Sequence, residues 1–183
     1  MSDPADNQRL IGDIVREGTV ESVDLAKRTC RFKTGDLVTG DVPWLAARSG
    51  ATKRWSPPSK GEQGLLICPE GDTERGIVLP GLFSNAHPAP SAEDVDLTVY
   101  ADGARIGYDP GAHTLTAILP SGATARIEAD GGLSIKGPVS IEGKLTITET
   151  IEAEGEITGS GIKLSKHHHG QVKTGTDESG DPL

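Results

Sequence analysis

Residues 131–148 read GGLSIKGPVSIEGKLTIT, and the same six-residue phrase continues more loosely as ETIEAE and GEITGS to residue 160. Each phrase opens on Gly or its substitute and carries apolar residues at its third and fifth positions. The aliphatic register therefore stays on odd numbers: Leu133, Ile135, Val139, Ile141, Leu145, Ile147, Ile151, Ala153 and Ile157. Strand side chains alternate between faces, so these residues line one side of an extended ribbon. Ser134, Lys136, Glu142, Thr146, Thr148 and Glu152 line the other. Gly137, Gly143 and Gly155 let the chain bend between short strands. A repeat of this kind outweighs any single motif in deciding the fold.

A ribbon with one apolar face cannot stand alone, because that face would remain wet. One chain can coil on itself, or several can wind around a shared axis. A self-coiled hexapeptide helix needs roughly three hexads per turn, so the five hexads here make fewer than two turns. Winding identical chains about a common axis buries the same face at once. Two chains would enclose too little, and more than three would open a lumen that Val and Ile could not fill. The repeat has no aromatic residue, which suits a narrow interior. The pattern thus predicts an intertwined homotrimer.

Beyond the repeat, GIKLSKHHHGQVKTG holds three of the chain's five histidines, His167, His168 and His169. A truncated purification tag is the plain alternative, but fourteen residues follow the cluster. His167 and His169 share the odd parity of the inward face, although Ile162 and Leu164 are even, so the phase must shift near Gly159 or Gly161. Residues two apart in an extended chain share a face, which sends His167 and His169 one way and His168 the other. Around a threefold axis two imidazoles per chain converge as six nitrogens. Imidazole suits Fe, Ni or Zn, while structural zinc nearly always takes four ligands. The expected cofactor is one octahedral iron ion per trimer, bound by His167 and His169 of each chain. His87, in a proline-rich stretch, and His113, in PGAHTL, are expected to be ordinary surface or turn residues.

The N-terminal part has a different grammar. Only 3% of the 183 residues are aromatic, while 24 are Gly and 12 Pro, a balance that favours strands and turns over helices. GTVESVDLAKRTCRFKTG alternates apolar and polar residues around a turn at DLAK, and EQGLLICPEGD and RGIVLPGLFS are apolar runs bounded by turn formers. VPWLAARSGATKRWSPPSKG, with both tryptophans, is hard to place in a sheet. Several short strands with one longer connection predict a small Greek-key barrel of the OB type. NQRLIGDIV suggests one short helix leading in. Cys30 and Cys68 sit in strand-like contexts and read as buried free thiols, with a disulfide between them left open.

The fold class is therefore all-β, an N-terminal OB-like barrel followed by a trimeric β-helix spike with a metal-binding tip. Its parts are a lead-in over residues 1–12, the barrel over 13–84, a proline-rich connector over 85–94, the spike over 95–165 and the apex and tail over 166–183. A net charge of −9 argues against binding nucleic acid through its phosphates. The N-terminus lacks a secretory signal pattern and no run is long enough to span a bilayer, which predicts synthesis and folding in a cytoplasm.

In this order the parts resemble the phage baseplate assembly protein V family, the central spike of contractile tails and of tail-derived bacteriocins. LVTGDVPWLAARSGATKRWSPPSKGEQGLLICPEGDTERGIVLPGLFS is similar to the family's barrel segment. GYDPGAHTLTAILPSGATARIEADGGLSIKG resembles its lead into the β-helix, and LSKHHHG its His-x-His-Gly tip motif. Glu149 departs from the hexad, where glycine is expected. The resemblance implies a homotrimer at the baseplate tip of a virion, attached to the tail hub through its OB-like domains. It also implies a metal-stabilised point driven through the bacterial outer membrane when the sheath contracts.

A hexapeptide-repeat acyltransferase would need many more hexads and normally has one main apolar position in each. The sequence shows no nucleophile–base pair, HExxH motif or phosphate-cradling loop, so no enzyme activity is expected. ETIEAEGE reads as a solvated outer face rather than paired catalytic carboxylates. A receptor-binding tail fibre would carry a knob after the repeat, and Gly170 to Leu183 is too short and polar for one. There is likewise no room for the lysozyme domain that some spikes of the family carry.

Overall fold

The computed structural model describes residues 11–166, and the chain divides into two compact units at residues 126 and 127. The described part of the first unit opens with a helical stretch at residues 11–13, inside NQRLIGDIV, where the sequence suggests a short helix. Five strands follow: β1 (Val15–Asp24), β2 (Thr29–Thr34), β3 (Leu37–Val38), β4 (Gln63–Ile67) and β5 (Ile77–Leu82). They form one antiparallel sheet in the order β3-β2-β1-β4-β5. The β1–β2 turn falls at DLAK, where the Lys27 N–H donates to Asp24 Oδ1 at 3.0 Å.

Strict alternation in β2 turns Cys30, Phe32 and Thr34 inward and Arg31 and Lys33 outward. Val20, Cys30, Phe32, Val42, Leu66, Cys68 and Val78 make the buried core, with Val23 and Trp44 packed at its margin. Cys30 and Cys68 are both buried free thiols. Desolvation pushes the Cys30 thiol up to about 11, so it stays protonated and unreactive near neutral pH. Gly18 lies where β1 crosses Phe32. A Cβ there would meet Lys33 O at 2.1 Å and the Phe32 ring at 2.7 Å, so only glycine lets the strands approach.

The sheet closes through the segment that alternation could not place. Val42 exchanges backbone hydrogen bonds with Cys30 at 2.8 and 2.9 Å. One residue on, Val78 N–H donates to Pro43 O at 2.9 Å and Leu45 N–H to Val78 O at 2.8 Å. Residues 42–45 therefore join β2 to β5, closing the sheet at Cys30 and Val78. A bulge in β1 between Val20 and Ser22 adds the local twist that such closure requires.

After the connector comes a three-stranded antiparallel meander, β6 (Asp96–Val99), β7 (Arg105–Asp109) and β8 (Thr114–Ile118), in that spatial order. The sequence reading did not separate it from the hexads. Asp109 Oδ1 shapes its second turn by accepting the N–H groups of Gly111 at 2.8 Å and Ala112 at 2.9 Å. Register places Val99 and Ile118 on one face and Ile106, Tyr108 and Leu115 on the other, and all five are exposed. Among the described residues no helix is long and apolar enough to cross a membrane.

Candidate functional site

The second unit starts at Ile127 and contains the hexads. No strand is assigned between residues 119 and 157, and the aliphatic face stands open along its length. Leu133, Ile135, Val139, Ile141, Leu145, Ile147, Ile151 and Ile157 are 42–65% exposed. Single isolated apolar side chains on a surface need no explanation, but a periodic row of eight does.

The expected change of phase takes the form of a hairpin. Strands β9 (Thr158–Gly159) and β10 (Ile162–Lys163) pair antiparallel across a two-residue turn. Ser160 and Gly161 have φ of 50° and 81°, the paired left-handed conformation favoured in tight hairpins. Leu164 N–H donates to Ile157 O at 2.9 Å, extending the register by one pair. The next pair is Glu156 and Ser165. One carboxylate oxygen of Glu156 accepts the Ser165 N–H at 3.1 Å, and the other accepts the Ser165 hydroxyl. These bonds, the hydroxyl first, hold the Glu156 carboxyl below its ordinary value. Residues 164–166 then form a single 3-10 turn that ends at the last described residue, Lys166.

Residues 16–83 match the family model of the type VI secretion system/phage-baseplate injector OB domain, a span that coincides with the closed five-stranded barrel. Over 204 residues the chain is 31% identical to the Spike protein of Escherichia phage P2, an alignment covering 96% of this chain and 95% of that relative. The chain belongs to the phage baseplate spike family. Its place is the tail baseplate of a virion.

His167 and His169, the metal ligands that the sequence leads one to expect, lie outside the described residues, as does His168. Among the described residues no group of three or more His, Cys, Asp or Glu could hold a metal ion. His87 and His113 behave as the sequence suggests. His87 N–H donates to Ser84 O at 3.1 Å in a tight turn, and His113 sits in the β7–β8 turn with φ of 55°. Sequence reasoning missed Glu156 and Ser165. The signal was present, since a two-residue turn at Ser160-Gly161 obliges residues 156 and 165 to face each other.

Removing that clamp with Glu156→Ala should raise amide exchange at Leu164 and Ser165 by roughly two- to tenfold while leaving exchange in the barrel unchanged. The clamp also has a pH signature. A carboxylate with a lowered folded pKa contributes above its unfolded value, ordinarily 4.5, and loses that contribution as pH falls through the folded one. Exchange at the two amides should therefore converge between native and variant chains in acid and differ at neutral pH.

Proposed function

We propose that three copies of this chain wind their hexad segments around one axis to form a membrane-piercing spike, sealed at its point by one iron ion. The observation that carries this reading is the row of eight aliphatics, 42–65% exposed in a single chain and in one register. A lone chain keeps that face in water, and threefold winding removes it. The uncovered apolar residues on both faces of the β6–β8 meander extend the same need toward the barrel.

The outer face of the wound segment is polar, carrying Lys136, Glu142, Thr146 and Glu152. A needle with such a surface crosses lipid under mechanical force without dissolving in it. Free strand ends would fray at the apex, and a metal that links all three chains opposes fraying. His167 and His169 would supply six neutral nitrogens, a donor set that suits octahedral iron better than tetrahedral structural zinc.

The barrel is the natural attachment to the tail hub. Val15, Ile67 and Ile77 are register neighbours across β1, β4 and β5 on its outer face, and they are 51%, 36% and 37% exposed. Leu65 and Leu79 continue this aliphatic strip two residues on. Nothing in the reading requires catalysis. The role is structural and mechanical, and the sheath supplies the force.

Native mass measured together with metal content tests the reading. The expected result is a complex of three chains with one iron. A folded monomer at micromolar concentration would overturn the winding, and one metal per chain would overturn the shared tip.

A further inference from the structure

Residues 42–61 contain Arg48, Lys53, Arg54 and Lys60 and no acidic residue, in a chain of net charge −9. The loop is held by Arg54 N–H donating to Arg48 O at 3.0 Å and by a bridge between Ser49 and Lys53. It folds Trp55 onto Trp44, with ring centroids 5.6 Å apart and planes inclined at 53°. Arg28, left-handed at φ 60° after the β1–β2 turn, adds a further cation. The result is an open groove of ≈ 350 Å³ lined by Arg28, Trp44, Arg48, Lys53, Arg54 and Trp55.

Arg28, Arg48, Lys53 and Arg54 form no ion pair among the described residues, whereas Lys27 nearby is paired with both Asp24 and Asp41. Trp55 is 59% exposed. Gathering like charges around aromatic rings raises the energy of the free surface, and a carboxylate partner relieves it through ion pairs strengthened by the apolar wall.

The complementary surface is on the same chain. Residues 84–104 contain Glu93, Asp94, Asp96 and Asp102 and no Lys or Arg. Glu93, Asp94 and Asp96 are exposed and have no ion-pair partner among the described residues. Val95 stands among them, and Pro88 and Pro90 stiffen the approach. None of residues 93–96 lines the groove of its own chain.

We infer that the basic aromatic groove of one copy receives the acidic connector, residues 93–96, of the next copy around the threefold axis. The inference rests on the three-copy reading above. A cyclic assembly is built from head-to-tail contacts, in which one patch of each copy meets a different patch of its neighbour. Two unlike, unsatisfied patches of opposite charge on one unit supply that pairing. Neither patch can pair with its own like, so the contact must join groove to connector, and winding of the hexads sets the number of copies at three. The contact would fix one barrel against the next, a task the hexads cannot perform.

Both tryptophans of the chain lie in the groove, so tryptophan fluorescence, excited beyond the tyrosine band, reports on its occupancy. In the Glu93→Lys/Asp94→Lys variant, acrylamide quenching should rise about twofold over the native protein, while native mass remains that of three chains held by the hexads. Adding Arg48→Glu and Arg54→Glu to that variant should restore the shielding by reversing both partners. Raising salt to about 1 M should expose the rings of the native protein in the same way. A trimeric variant with unchanged quenching would overturn the contact, as would a fourfold variant that fails to regain shielding. A monomeric native chain would instead overturn the three-copy reading itself.

Discussion

The Ile141→Asp/Ile147→Asp double variant is expected to sediment as a monomer at micromolar concentration with its barrel still folded. Both residues lie on the odd-numbered face, 57% and 46% exposed in a single chain. Covering an aliphatic side chain of this size contributes about 1.5–3 kcal/mol relative to leaving it exposed. The substitutions remove that gain twice per chain. They also gather six carboxylates around one axis, and each uncompensated charge taken from water costs several kcal/mol. The hexads contribute no inward cation to offset them. The barrel should be indifferent, because its core of Val20, Phe32, Leu66 and Val78 is complete within one chain. Ser140→Asp/Thr146→Asp places the same charges on the opposite face and should leave three chains together. A double variant at 141 and 147 that remained trimeric would mean that these side chains do not face a shared interior.

The barrel was legible because its strands obey local rules. Alternation in TCRFKT set which residues of β2 turn inward, and the DLAK turn set where β1 reverses. The closure was not legible. Residues 42–45 bridge β2 and β5 through backbone N–H and C=O groups, which carry no sequence signature, and Pro43 argues against a strand there. The meander was hidden for another reason. Its exposed apolar residues occupy both faces, so its pattern runs into that of the hexads, and only the turns at Asp102 and Asp109 divide it into three strands.

The hexads show the reverse case. Their register was plain from the parity of the aliphatics, yet a single chain has no strand partner to offer them, and they stay open. The interface proposed above is something periodicity can demand but one chain cannot satisfy. At the apex, parity alone could say that the phase must shift near Gly159 or Gly161. It could not say that the chain doubles back, since that depends on Ser160, an L-residue, adopting a φ of 50° beside Gly161. The Glu156–Ser165 clamp follows from that reversal and from nothing in the hexad pattern.

Replacing the two alternate histidines is expected to remove the metal without disturbing the barrel. Native protein should carry one iron per three chains by elemental analysis, and the His167→Ala/His169→Ala variant none. His168→Ala should keep the full amount, because the middle residue of an extended triplet points away from its neighbours. That contrast separates a geometric site from a general attraction of metal to neighbouring imidazoles, which would fall in proportion to the number of histidines removed. Binding requires neutral rings, so acid should release the native metal. With the ion gone, the hairpin with its carboxylate clamp remains before Lys166, and it ties each chain to itself and not to its neighbours. Proteolysis of the segment beyond Lys166 should therefore quicken by about tenfold or more in the double variant, while the hexads remain wound. If that variant retained its iron, or lost it with no change in proteolysis, the histidines would not be what joins the three chains at the point.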